Sequence, residues 1–86
     1  MIRIRTKGSM WVIDEGAKRY CRFPLDEGGR EHPWWGNEEA GALQDAVWHD
    51  YETWQITRNR QWEVEGEWLR FDGPEGPVNA PFPEVL

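Results

Sequence analysis

Met10-Trp11-Val12-Ile13-Asp14-Glu15-Gly16-Ala17-Lys18-Arg19-Tyr20-Cys21-Arg22-Phe23 is the segment on which the fold turns. Its first four residues are strand formers, and Lys18–Phe23 resumes an extended pattern after a break. Asp14-Glu15-Gly16-Ala17 supplies that break: a short acceptor side chain can bond the backbone ahead of it, and a glycine tolerates tight curvature. The stretch therefore predicts an antiparallel hairpin reversing at Asp14–Ala17. In its second arm Arg19, Cys21 and Phe23 share one face, and Lys18, Tyr20 and Arg22 share the other. Both sets mix apolar and charged groups, so the alternation leaves the inward side open.

Outward from this hairpin the same periodicity recurs. Ile2-Arg3-Ile4-Arg5-Thr6 alternates apolar with polar residues, the mark of a strand with one wet face, and Lys7-Gly8-Ser9 ends it. From Tyr51 the pattern returns, with Glu52, Trp54 and Ile56 on one face and Thr53, Gln55 and Thr57 on the other. Arg58-Asn59-Arg60 reads as a turn, Gln61-Trp62-Glu63-Val64-Glu65 alternates, Gly66 interrupts, and Glu67–Phe71 follows, which predicts a second hairpin. Asp72-Gly73-Pro74-Glu75-Gly76-Pro77 is a turn-rich connector. Prolines beyond it confine Val78–Leu86 to an edge strand or an extended tail.

Between the two strand regions, residues 24–50 read as a long loop. Gly28-Gly29 and two prolines surround Trp34-Trp35, an aromatic loop tip. Asn37-Glu38-Glu39 can cap a helix running to about Val47, with Ala40, Leu43 and Val47 as its apolar stripe. Gly41 weakens that helix, so a short helix and an irregular excursion both stay open. The expected architecture is mainly β: one domain over residues 1–86, with loop 24–50 and an extended segment 74–86. About five or six short strands would form a small SH3-like or OB-like barrel or a two-layer antiparallel sheet.

An 86-residue chain buries only a modest share of its surface, so its core must be concentrated. Seven Trp, three Phe and two Tyr, in a chain of mean hydropathy −0.86, point to a thin core built of rings. The net charge is −6 and unevenly spread. Met1–Phe23 carries six Lys/Arg against two acids, a local +4, and Pro24–Leu86 carries four against fourteen, a local −10. One cysteine forms no intramolecular disulfide, the first residues alternate Ile with Arg rather than building a signal peptide, and no apolar run approaches the ~20 residues that span a bilayer. A soluble protein of a reducing cytoplasm, away from membranes, is expected.

Chemistry-bearing residues are sparse. Cys21 with His32 or His49 and a carboxylate would be needed for an activated thiol, but no local signature surrounds Cys21, and a lone strand cysteine is more often a small core residue. One Cys and two His without CxxC or HxxxH spacing give no zinc site, and Glu63, Glu65 and Glu67 read more simply as a solvated strand face. The glycines lack the strand, helix and lysine context of a phosphate loop. No catalytic residue, metal or cofactor is expected. Trp11, Trp54, Trp62 and Trp68 lie in strand patterns and read as core. Neighbours on an extended chain point to opposite sides, so Trp34 and Trp35 cannot both bury in one thin core. They are candidate binding anchors, and Trp48, His49 and Tyr51, in the run Trp48-His49-Asp50-Tyr51, form a second candidate cluster just outside the strands.

Thr6-Lys7-Gly8-Ser9-Met10-Trp11-Val12-Ile13-Asp14, followed by Lys18-Arg19 and Arg22, resembles a diffuse group of short uncharacterised proteins of actinobacterial phages and prophages. Trp48–Ile56 and Pro81-Phe82-Pro83-Glu84-Val85 look like the same layout. The resemblance implies a small phage accessory protein in a bacterial host cytoplasm, and the group carries no assigned reaction to transfer. Loop aromatics on an acidic chain make the expected function a non-enzymatic protein-binding module engaging a host protein, since aromatic anchors give affinity and charge steers encounter. Two alternatives stand beside it. One is a barrel binding single-stranded nucleic acid along Arg3, Arg5, Lys7, Lys18, Arg19 and Arg22, which the net charge disfavours. The other is a Trp-lined pocket for a small ligand such as a nucleotide.

Overall fold

The structure is a computed structural model that describes residues 1–25, 41–61 and 64–82, with backbone alone at 42, 59–61 and 64. Seven strands and one helical turn follow in chain order: β1 (Ile2–Arg5), β2 (Ser9–Asp14), β3 (Arg19–Pro24), α1 (Gly41–Gln44), β4 (His49–Asp50), β5 (Thr53–Gln61), β6 (Val64–Gly73) and β7 (Gly76–Pro81). They form two antiparallel sheets, ordered β1-β2-β3-β4 and β5-β6-β7. The fold is thus mainly β, and among the described residues the sheets are layered rather than closed into a barrel.

The first hairpin forms where its turn chemistry places it. Met10 pairs with Phe23 and Asp14 with Arg19. Asp14 closes the reversal: its carboxylate accepts from the Ala17 amide at 3.2 Å and from Arg19 Nε at 3.1 Å. Lys18, at φ 50°, takes the left-handed position that ends the turn, a conformation uncommon for a side chain of this kind.

The open question of which side of β3 faces inward has the answer that both do. Ile2 and Ile4 of β1, Trp11 and Ile13 of β2 and Tyr20 of β3 turn toward the second sheet, where Leu69, Phe71, Ala80, Trp54 and Val78 meet them with Tyr51 and Phe82. On the reverse face Val12, Cys21 and Phe23 pack under Leu43, Ala46 and Trp48. Central β2 is consequently buried from Ser9 to Ile13. The β1–β4 sheet is a middle layer, sandwiched between a second sheet and the chain around α1.

Phe71 is the hub of the inter-sheet core. Its ring lies 4.0 Å from Tyr20 at 16°, 5.5 Å from Trp11 at 27°, and within 6.5 Å of Tyr51 and Trp54. Offset stacking of this kind adds to the large area that each ring removes from water. The sheets also touch through their backbones. A Cβ on Gly73 would lie 2.8 Å from the Asp50 carbonyl oxygen, so only glycine permits the approach. The Glu52 amide, two residues on from Asp50, donates to the Asp72 carbonyl at 2.8 Å.

Three local expectations are corrected. Arg58-Asn59-Arg60 is strand, not turn: Gln61 pairs with Val64, so the second hairpin reverses between them, and Gly66 sits inside the ladder opposite Asn59. This register sets Arg58 across from Glu67 (Nε to Oε1, 3.0 Å) and Arg60 across from Glu65, a cross-strand match of opposite charges that a turn at 58–60 would forfeit. Among the described residues the helix covers Gly41–Gln44 and ends there instead of running to about Val47. Its closing bond runs from the Asp45 amide to the Gly41 carbonyl at 3.2 Å; Leu43 is buried, but Val47 is 74% exposed and cannot anchor a further turn. The proposed cap at Asn37-Glu38-Glu39 lies outside the described residues. The strands number seven because His49–Asp50 pairs with β3 and because Gly76–Pro81 joins the sheet as an edge strand, the first of the two forms foreseen for it.

Candidate protein-binding edge

β4 pairs with β3 through two residues whose side chains take opposite faces of the sheet. His49 lies opposite Tyr20 and stacks on it at 5.4 Å, whereas Asp50 lies opposite Arg19. Tyr51 follows His49 into the inter-sheet core and is 6% exposed. Trp48 goes to the reverse face, where it packs against the cluster of Val12, Cys21 and Leu43. The four-residue run Trp48–Tyr51 is therefore divided by the sheet, as extended backbone requires, with Tyr51 committed to the core and only Trp48 half-buried on the reverse face. Trp34 and Trp35 lie outside the described residues, as do His32 and Trp62.

The partner of Trp48 is Arg19, whose guanidinium carbon sits 4.1 Å from the indole centroid. Both ends of this pair are held. Trp48 Nε1 donates to the Leu43 carbonyl at 3.3 Å, and Arg19 Nε donates to the Asp14 carboxylate. Asp14 is held below the usual carboxylate range, first by the Ala17 amide and then by Arg19. Arg19 thus stands as a fixed, paired cation across an aromatic face, an arrangement worth about 0.5–1 kcal/mol when exposed and more when dry. Sequence reading missed this pair because β3 and β4 meet only in three dimensions; the short-range pattern around Arg19 points to the hairpin alone.

Around the pair the surface is acidic. Asp45 and Asp50 are exposed on the segment that carries Trp48, and Glu15 and Glu52 are exposed in the flanking turns. Burial raises Tyr51, and the charges of Glu15 and Asp14 push it in the same direction. The centre of the site is an aromatic ring and a bonded guanidinium, and its rim is carboxylate.

Cys21 is buried in the sheet, and its thiol is pushed up to about 11 by that burial. His49 lies on the opposite face of the same sheet, so these two do not form a thiol–imidazole pair. The basic residues of the nucleic-acid alternative are likewise divided. Arg3, Arg5 and Arg19 fall on the reverse face, Arg22 on the inter-sheet face, and Lys7 and Lys18 in turns. Among the described residues no group of three His, Cys, Asp or Glu is placed to hold a metal ion, and no helix is long and apolar enough to cross a membrane. No protein-family model, curated protein or solved structure matches the chain.

Proposed function

We propose that the protein is a non-enzymatic binding module that docks a protein partner at the β3–β4 edge, with Trp48 as anchor and Arg19 as its fixed cation. One observation carries the reading: a half-buried tryptophan is clamped between a backbone carbonyl and a guanidinium at the outer strand of a sheet, within an acidic rim. Trp and Arg dominate interface hot spots, and a carboxylate rim selects a partner of opposite sign while raising its association rate. The partner is therefore a protein with a basic surface around an apolar recess. The resemblance to actinobacterial phage and prophage proteins supports taking that partner from a bacterial host cytoplasm, and Trp34 and Trp35 are offered as further anchors.

The test is capture from actinobacterial lysate with quantitative mass spectrometry, comparing the native chain with Trp48→Ala, Arg19→Gln and a Trp34→Ala/Trp35→Ala pair. A basic protein retained by the native chain, depleted about tenfold by Trp48→Ala and released by added salt is the expected result. Equal retention by folded Trp48→Ala and Arg19→Gln would remove this edge from the interface.

A further inference from the structure

On the other face of the middle sheet, away from Trp48, the two sheets part into a cleft of about 420 Å³. It is lined by the β1–β2 loop from Thr6 to Ser9, by Trp11 and Arg22, and by Val78–Pro81 of β7. The volume lies within the ~300–1,000 Å³ of small-molecule sites. Two cations, Lys7 and Arg22, line it, and among the described residues no carboxylate does. In a chain of sixteen acids and ten Lys/Arg, that is a local reversal of sign.

The walls are prearranged. Thr6, itself buried, accepts from the Trp11 indole Nε1 at 2.7 Å. Ser9, also buried, accepts from Arg22 Nε at 2.6 Å, which fixes the guanidinium and leaves its Nη groups as the donors for a ligand. The Lys7 amide donates to the Pro81 carbonyl at 2.9 Å, tying the loop to β7 so that the cleft does not depend on ligand to assemble. Val78 and Ala80 supply an apolar wall, and the Arg22 guanidinium lies over the Trp11 ring, 5.9 Å from its centroid.

We infer that this cleft binds a phosphorylated small molecule, its phosphoryl group on Arg22 and Lys7 and its organic body against Val78, Ala80 and Trp11. Two positive charges lining one cleft match the roughly −1.5 to −2 charge of a phosphate monoester better than that of a single carboxylate, and a guanidinium held at Nε keeps its Nη donors for those oxygens. A small ligand lies wholly inside the cleft. A polynucleotide would continue past it onto a molecule of net charge −6 and be repelled.

The experiment is an amide and indole NMR titration of the full chain at constant ionic strength with inorganic phosphate, adenosine monophosphate, adenosine and acetate. Expected are saturable shifts confined to Lys7–Ser9, the Arg22 side chain and the Trp11 indole, with the nucleotide about tenfold tighter than free phosphate and adenosine or acetate without effect. Tighter or equal binding of free phosphate would make the ligand inorganic and overturn the apolar wall's role. Arg22→Gln should weaken nucleotide binding about tenfold, and Lys7→Gln about threefold, while Lys18→Gln, in the turn at the far end of the β2–β3 hairpin, leaves it unchanged. Should Arg22→Gln fail to fold, Ser9→Ala, which frees the guanidinium, takes its place and should weaken binding severalfold. Shifts still linear at about 10 mM, equal affinity in the folded variants, or tighter binding of a single-stranded oligonucleotide than of the mononucleotide would each overturn the inference.

Discussion

The two faces of the β1–β4 sheet are buried by different means. One meets a second sheet and holds Trp11, Ile13, Tyr20, Tyr51, Leu69 and Phe71 in a continuous ring-rich core. On the other, among the described residues, α1 and the chain after it cover a smaller buried set of Val12, Cys21 and Leu43. A sheet-on-sheet interface interlocks many side chains at once, whereas among the described residues the α1 segment contributes Leu43 as its buried side chain, with Ala46 and Trp48 beside it. Stability should therefore be concentrated on the first face. The second carries the half-buried Trp48 packed against its smaller buried set.

Removing the hub is the most severe way to test this. Phe71→Ala takes away the ring that contacts four others and should cost about 3–5 kcal/mol, enough to leave so small a domain largely unfolded at 37 °C. Urea denaturation with near-ultraviolet circular dichroism reads the loss. Leu43→Ala on the thin face should cost about 2 kcal/mol by the same measurement, at the low end for a buried leucine because its cover is shallow. Equal losses from the two variants would break the asymmetry.

Cys21 reports on the thin face chemically. With its thiol near 11, about a hundredfold less thiolate is present near neutrality than at an ordinary cysteine, and the group is also buried. Maleimide labelling at pH 8 should be at least about a hundredfold slower in the native chain than in urea, and Leu43→Ala should accelerate it while a mild truncation at Ile13 on the first face does not. Uniform acceleration by both would mean that the faces open together.

The smallest effect is expected at the hairpin turn. The folded-state pKa of Asp14 is lowered, by the Ala17 amide first and Arg19 second, so its stabilising contribution is present above the unfolded value of about 4 and is lost as pH falls through the folded one. Asp14→Asn should lower stability by less than about 1 kcal/mol at pH 7. The difference from the native chain should vanish in acid, below the folded pKa of Asp14. Melting curves across that range check both the size and the sign.

Much of this architecture was legible along the chain. Period-two alternation and the Asp14–Ala17 turn are properties of neighbouring residues, so β1, β2, β3 and the proline-marked edge β7 could be read directly, as could a core made of rings. Alternation cannot choose an inward side when both sides are buried, and for that reason β3 looked ambiguous. The turn at Arg58-Asn59-Arg60 failed for a related reason: the observed register gains the Arg58–Glu67 charge pair, nine residues apart, that no short window contains.

The candidate sites divide in the same way. The choice of Trp48 as a candidate follows from a large ring at the border of a strand. That it pairs with Arg19, parts from His49 and Tyr51, and stands on a face opposite the Lys7–Arg22 cleft was decided only when β4 paired with β3 and Pro81 closed on Lys7. Local sequence determines which way a side chain can point relative to its neighbours, because backbone geometry is short-ranged. Which groups then meet depends on strand pairing and layer packing between distant residues, and that is set by the burial of the whole chain at once.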